Sequence, residues 1–371
     1  MLKIVLTGGP CSGKTQMSNV FRTLENIGYH IFTVSEAATS LILNGIKPSE
    51  NVSMDDFQEF IIDTQLANER IYEEVTKYYD PSKIIIIYDR GIMDGSAYVS
   101  KASFENLLKR KGLTVSDVLA RFDAVFHLVT AADGAEEFYS WNDPNKEDVG
   151  NNAARRENPE EARISDKKTL NAWIGHPNLK IFDNSTDFEG KKARVMNEIL
   201  SLLESQNPKE VERKYLIKKP SDIDISKLGC VSETNIVQTY LRSKPSLERR
   251  VRQRGTIKDG FVFYYTEKRD VSPGVRIEHE KQISKDEYLS LLSEADTSLH
   301  QISKKRYCFI YQNQYFEMDV YPFSDQYAIV EIELRDINDI IDLPPLDFVK
   351  DVTGDKRYCN FELAKNFSLA L

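Results

Sequence analysis

Leu2-Lys3-Ile4-Val5-Leu6-Thr7-Gly8-Gly9-Pro10-Cys11-Ser12-Gly13-Lys14-Thr15 runs from an apolar strand through a glycine loop into a segment of helical periodicity. Residues 8–15 fit G-x-x-x-x-G-K-[ST], and the strand-loop-helix setting is the one that this pattern needs. Glycine lets the backbone of Gly8, Gly9, Pro10, Cys11, Ser12 and Gly13 turn so that successive N–H groups point at phosphate oxygens. The helix N-terminus adds partial positive charge, Lys14 bridges the terminal phosphates, and the Thr15 hydroxyl ligates Mg²⁺. The stretch therefore predicts the first strand of an α/β domain with a parallel sheet and flanking helices, built to hold a nucleoside triphosphate, GTP or ATP.

Working outward, Lys14 to Glu25 reads as the first helix. Ser53, with Asp56 three residues on, caps a long helix reaching Tyr79. Ile84-Ile85-Ile86-Ile87-Tyr88 is a buried strand that ends in Asp89-Arg90-Gly91, where an α/β sheet presents its ligand-facing strand ends. Asp89 is a candidate for the Mg²⁺ shell or for a base on an acceptor hydroxyl, and Arg90 for a phosphate contact. Ala124 to Val129 and Leu179 to Phe182 are further buried strands. Between them, the polar stretch Ser140 to Ser165 has the length of a lid, with Arg155 and Arg156 as catalytic candidates that close over the triphosphate. Asn145-Lys146-Glu147-Asp148 matches the N-K-x-D guanine-reading pattern, but no clear buried strand precedes it.

A helix from Lys191 to Glu204 and the polar linker Ser205-Gln206-Asn207-Pro208 end this half, giving domains at 1–207 and 209–371. Residues 1–208 carry 23 basic and 31 acidic side chains, against 26 and 27 in the rest, so the net charge of −9 falls almost wholly on the first half. That balance excludes wholesale nucleic-acid binding. At 371 residues there is material for two cores, and no apolar run approaches the roughly 18 residues of a membrane span. Cys11, Cys230, Cys308 and Cys359 are too scattered for a disulfide framework or a zinc site. With the glycine loop so near Met1, no secretory leader is expected, which places the protein in the cytoplasm.

After the linker the rhythm turns to period two, in eight runs: Val211–Lys218, Asn235–Leu241, Arg249–Arg254, Phe261–Lys268, Val275–Ile283, Lys304–Tyr311, Tyr315–Tyr321 and Ile329–Leu334. These predict an α+β domain with an eight-stranded antiparallel barrel. Acid-x-acid pairs recur at Glu210/Glu212, Glu278/Glu280, Glu317/Asp319 and Glu331/Glu333, which in strands puts each pair on one face. Lys214, Arg250, Arg252, Lys268, Arg276, Lys304 and Arg306 occupy compatible strand positions. A lumen lined by both signs suits a phosphate-rich ligand, the bases gripping oxygens and the acid pairs holding Mg²⁺ or Mn²⁺.

With Glu210-Val211-Glu212-Arg213-Lys214, Arg250-Val251-Arg252, Glu317-Met318-Asp319 and Glu331-Ile332-Glu333 in view, the second half resembles the CYTH superfamily of triphosphate-tunnel proteins. The first half is similar to the nucleotide-kinase-like P-loop group through residues 8–15, Glu36-Ala37-Ala38 and Asp89-Arg90-Gly91. Their order is similar to the TRPL translocation defect protein family, whose members bind GTP and phosphoinositides. That resemblance implies a GTP-binding regulatory protein of membrane-protein trafficking. It would have a phosphoinositide or triphosphate in the tunnel and a peripheral membrane contact. The residues leave two alternatives open: a metal-dependent triphosphatase in the tunnel, and a small-molecule kinase in the first half with Asp89 as base.

Overall fold

The computed structural model describes residues 1–139, 157–203, 211–244, 247–272, 275–334 and 338–370, with the side chains of 269–272 and 275–278 outside that description. The chain divides into two compact units, Met1–Leu200 and Ser201–Leu371.

In the first unit, β1 (Leu2–Thr7) leads through the glycine loop into a 3₁₀ turn (Lys14–Met17) and then α1 (Ser18–Asn26). The expected helix from Lys14 is therefore a tighter turn for its first four residues. β2 (His30–Val34), α2 (Ala37–Leu43) and α3 (Met54–Thr76) follow. The Ser53 hydroxyl accepts from the Asp56 amide while the Asp56 carboxylate accepts from that of Ser53, a closed capping box. β3 (Ile84–Asp89) is followed by a 3₁₀ turn (Ile92–Ala97), α4 (Lys101–Arg110) and α5 (Val115–Leu119). β4 (Ala124–Leu128), α6 (Pro159–Ala172), β5 (Leu179–Phe182) and α7 (Phe188–Leu203) complete the series. The sheet is parallel throughout, in the order β2-β3-β1-β4-β5. Ile4, Val5, Ile85, Ile86, Val125 and Phe126 have no exposed surface, which is why their strands read as unbroken apolar runs. The stretch expected to be a lid is only partly one element: residues 140–156 lie outside the description, whereas Asn158 caps α6 and Pro159 is its first residue.

The second unit contains β6 (Val211–Lys218), α8 (Asp222–Ser226), β7 (Val231–Leu241), β8 (Leu247–Thr256), β9 (Gly260–Ser272) and β10 (Val275–Ile283). After α9 (Lys285–Leu291) come β11 (Ile302–Tyr311), β12 (Gln314–Val320), β13 (Tyr327–Leu334), β14 (Phe348–Asp351) and α10 (Asn360–Asn366). Every pairing is antiparallel, in the order β10-β9-β8-β7-β11-β12-β13-β6-β14. All eight expected strands are present. The ninth, β14, is four residues long and too short to show a period, and β10 and β14 are the two ends of the sheet.

One sheet face is apolar. Ile217, Phe309, Phe316, Met318, Val330 and Ile332 pack beneath Ile225 of α8, and Val251, Phe263 and Ile283 beneath Tyr288 of α9. The other face is charged except at one end, where Leu216, Tyr240, Ile302 and Ile329 are covered by Tyr358 and by Leu363 and Ala364 of α10. Burying an aliphatic side chain contributes about 1.5–3 kcal/mol, so these clusters fix the strand register and with it the charged face.

Candidate functional site

In the first unit the site forms where the C-terminal ends of β1, β3 and β4 meet. Gly8 has φ +142°, and a Cβ there would lie 2.2 Å from the Leu128 carbonyl oxygen, so only glycine fits. Cys11 and Gly13 are also left-handed, at φ 55° and 89°. The loop is tied from both sides: Thr130 donates its hydroxyl to the Pro10 carbonyl, and the Ala131 amide donates to that of Cys11 at 3.2 Å. The Gly9 amide donates to Asp166 Oδ1 at 2.6 Å, and Asp166 Oδ2 lies 3.2 Å from Nε2 of the buried His127.

Lys14 folds back so that Nζ lies 3.1 Å from the Gly8 carbonyl oxygen and 3.3 Å from Ser12 Oγ. Burial, and after it the Arg90 charge, pushes its pKa down to about 8. Thr15 is exposed on the adjoining turn. Arg90, left-handed at φ 68°, is held on three sides: Nε donates to Glu36 at 2.7 Å, one terminal nitrogen to Asp94 at 3.2 Å and the other to the Gly8 carbonyl at 3.1 Å. It is thus a brace between β3, α2 and the loop. Asp94 also accepts from Thr7, from the Gly91 amide at 2.9 Å and from Trp173 Nε1 at 3.1 Å. Asp89 keeps one buried oxygen, Oδ1, with no hydrogen-bond partner, and burial raises its pKa. An unsatisfied carboxylate oxygen at a phosphate loop fits a group brought by a ligand, Mg²⁺ included. Arg155, Arg156 and the N-K-x-D pattern at 145–148 lie outside the described residues.

In the second unit, register alone places the charges. Glu331 opposes Lys214 and Glu317, Arg306 opposes Asp319, and Glu333 opposes Glu212. Carried across β11, β7, β8 and β9, the same parity puts Lys304, Arg250, Arg252, Lys268 and the backbone position of Glu278, together with Glu280, on that one face. At its centre Arg306 grips Asp319 bidentately, Nε to Oδ1 and a terminal nitrogen to Oδ2 both at 2.7 Å. It also donates to Glu317, and to Glu331 at 3.1 Å. Lys304, 4% exposed, donates to Asp319, which has no exposed surface. Lys214 joins Glu331 at 2.8 Å and Glu212 at 3.1 Å.

The titrations follow from that wiring. Burial would raise the Asp319 carboxyl, but Arg306 and Lys304 hold it well below the usual range. Glu331 is likewise lowered against its burial, chiefly by Lys214. Burial wins at Glu317, which is raised, and at Lys304, pushed down to about 8. The Arg306 charge, and after it that of Arg254 on β8, works against the rise at Glu317. Towards the β10 edge, Arg252 lies 3.5 Å from Glu280, which also accepts from Thr266 at 2.8 Å.

Among the described residues no three acidic, histidine or cysteine side chains are arranged to hold a metal ion. Glu317, Asp319 and Glu331 are each bonded to a cationic side chain. Glu212, which Lys214 also meets, stands directly opposite Glu333 across β6 and β13. Glu210 lies outside the described residues, as do the side chains of Arg276 and Glu278. Arg254 and Asp94 were legible but not expected: Arg254 continues the alternation of Arg250 and Arg252, and Asp94 stands three residues after Gly91, the spacing of a cap. No local pattern marks Asp166.

A phosphate loop on a parallel sheet, followed by an antiparallel sheet with an acid-and-base face, defines a P-loop protein with a second anion-suited unit. The chain belongs to the AAA domain family, whose profile matches residues 3–191. No curated protein matches it. Among solved structures it is similar to the inorganic triphosphatase NE1496, at 29% identity over 44% of this chain and 97% of that one, with a TM-score of 0.32. It is also similar to HpAC1 of Hippeastrum, described as a candidate adenylyl cyclase with a dominant triphosphatase activity, at 12% identity over 43% and 97% of the two chains and a TM-score of 0.28. A conserved hypothetical protein of Pyrococcus furiosus is similar at 17% identity over 36% and 81%, with a TM-score of 0.25. Among the described residues no helix is long and apolar enough to cross a membrane.

Proposed function

We propose that the chain is a regulatory protein with two phosphate sites: a nucleoside triphosphate with Mg²⁺ on the phosphate loop, and a separate phosphate-rich ligand on the charged face of the second unit. The observation that carries this reading is the Arg306 knot, in which Lys214, Lys304 and Arg306 meet Glu212, Glu317, Asp319 and Glu331 on one face. A polyphosphate supplies the same negative charge that these carboxylates now supply to the cations, and a divalent ion would neutralise the carboxylates it displaces. GTP as the nucleotide, a phosphoinositide headgroup or triphosphate as the second ligand, peripheral membrane contact and a trafficking role are supported by the resemblance to the TRPL translocation defect proteins. Competition between GTP and ATP for the loop tests the first. Retention on vesicles with and without phosphoinositide tests the second. Lys14→Ala should abolish nucleotide affinity, and undiminished binding would refute the loop assignment.

A second reading makes the charged face a metal-dependent triphosphatase. It is favoured by the direct opposition of Glu212 and Glu333 beside Lys214, where bound metal would supply charge neutralisation for a reacting phosphate. Phosphate release from inorganic triphosphate with Mg²⁺ or Mn²⁺ should then fall about 100-fold or more in Glu212→Gln. Absence of metal-dependent turnover in the parent would exclude it.

A further inference from the structure

The turn that follows β4 is held more firmly than a surface connection needs. Thr130 donates its hydroxyl to the Pro10 carbonyl and the Ala131 amide donates to that of Cys11, so the turn is fastened to the phosphate loop. Every carbonyl from Val129 to Asp133 accepts a hydrogen bond. That of Val129 accepts from Lys191 Nζ at 2.8 Å, and those of Thr130 and Asp133 from Asn184 Nδ2 at 2.8 and 2.6 Å. That of Ala131 accepts from the Ala135 amide at 3.2 Å, and that of Ala132 from Arg163. Lys191 also donates to Asn184 Oδ1 at 2.7 Å. It is 2% exposed, and burial pushes its pKa down to about 8. Burying an ammonium against neutral acceptors is costly, and what it secures is the shape of this turn. The β5 loop reaches the same place, because a Cβ on Gly13 would come within 2.5 Å of the Phe188 ring. On the two loops Glu136 accepts from the Gly134 amide, Asp183 from Arg194 and Ser185, and Asp187 from the Gly190 amide. The exposed Asp133 carboxylate has no hydrogen bond or ion pair among the described residues. Asp133 stands three residues after Thr130, the offset of Asp148 from Asn145, and here a buried strand leads in.

We infer that the base of the nucleotide on the phosphate loop is guanine, read by Asp133, whose two oxygens accept from the ring N1–H and the exocyclic N–H. Guanine sets two donors side by side on its pairing edge, and an ionised carboxylate, an acceptor at both oxygens, matches that pair. Adenine offers one donor beside a ring nitrogen lone pair, which the second oxygen would repel, and cytosine does the same. Uracil has a single donor between two carbonyls. The fastening of the turn then has a purpose. Thr130 and Ala131 set its place against the phosphate loop, and Lys191 with Asn184 keeps its carbonyls, and so the backbone of Asp133, from shifting. The inference rests on reading residues 8–15 as a nucleoside-triphosphate site, and it gives that site a base preference through a residue outside the N-K-x-D stretch.

The test is calorimetric titration of the full chain with Mg²⁺ and GTP, ATP or xanthosine triphosphate, repeated on Asp133→Asn and Asp148→Asn. Asparagine keeps one acceptor for N1–H and turns the other position into a donor, which suits the C2 carbonyl of xanthine and opposes the amine of guanine. Asp133 is exposed, so the substitution leaves the core untouched. The parent should bind GTP about 100-fold or more tightly than ATP, and Asp133→Asn should bind xanthosine triphosphate more tightly than GTP. Asp148→Asn should keep the parent's preference. The inference is overturned, with the loop assignment standing, if the parent binds ATP as well as GTP or better, if Asp133→Asn keeps GTP or loses it without gaining xanthosine triphosphate, or if the reversal appears in Asp148→Asn instead. If the parent binds no nucleotide, both fall.

Discussion

Arg306 shows how much of this protein rests on single charges. Its guanidinium makes four contacts to three carboxylates, two of them the fork on Asp319. Removing one partner of such a buried set leaves the others uncompensated, so Arg306→Met should cost about 3–5 kcal/mol in a urea melt. The sign of the pH dependence follows. Without the guanidinium, Glu317, Asp319 and Glu331 repel one another and take up protons more readily, so the deficit should be smaller at pH 5 than at pH 8. In the parent the depressed Asp319 works the other way. Its contribution is present above the ordinary aspartate pKa of about 3.9, and is lost as pH falls below that value through the lower folded one. A deficit that is flat with pH would contradict the wiring. This centre was half legible: alternation put Glu317, Asp319 and Glu331 on one face, but acid-x-acid spacing says nothing of which cation each will meet. Spacing suggests a shared role as metal ligands but does not show that all three meet Arg306, Asp319 with Lys304 and Glu331 with Lys214 as well.

Elements were easier to read than contacts. Strands buried on both sides, such as Ile84–Asp89, announce themselves by composition, and the period-two strands of the second unit by alternation. β2, with the pattern His-Ile-Phe-Thr-Val and partial exposure, gave neither signal and was missed. The link between α6 and the loop was equally hidden, because Asp166 and Gly9 are 157 residues apart. That link matters for the loop's shape. Asp166→Ala removes the acceptor of the Gly9 amide and the partner of His127, both buried, and should cost about 1–3 kcal/mol. It should also weaken nucleotide binding by tenfold or less, far short of Lys14→Ala, because the side chain positions the loop without carrying its charge. Equal losses in the two variants would show that Asp166 touches the ligand. Gly8→Ala is expected to be more damaging to folding than either, since the Leu128 carbonyl cannot retreat from its strand.

For the whole molecule, the uneven charge has a structural counterpart. The second unit is less acidic because its sheet needs Lys214, Arg250, Arg252, Arg254, Lys304 and Arg306 on one face, and carboxylates beside them keep that face from repelling itself. The two sites should therefore be separable within one chain. Calorimetric titration of the full chain with tripolyphosphate, and separately with a nucleoside triphosphate and Mg²⁺, tests this most directly when repeated on Lys14→Ala and Lys214→Ala. The account requires Lys14→Ala to lose the nucleotide and keep tripolyphosphate, and Lys214→Ala to keep the nucleotide and bind tripolyphosphate about tenfold or more weakly. Loss of both ligands in Lys14→Ala, with Lys214→Ala unaffected, would place all phosphate binding on the loop and contradict it.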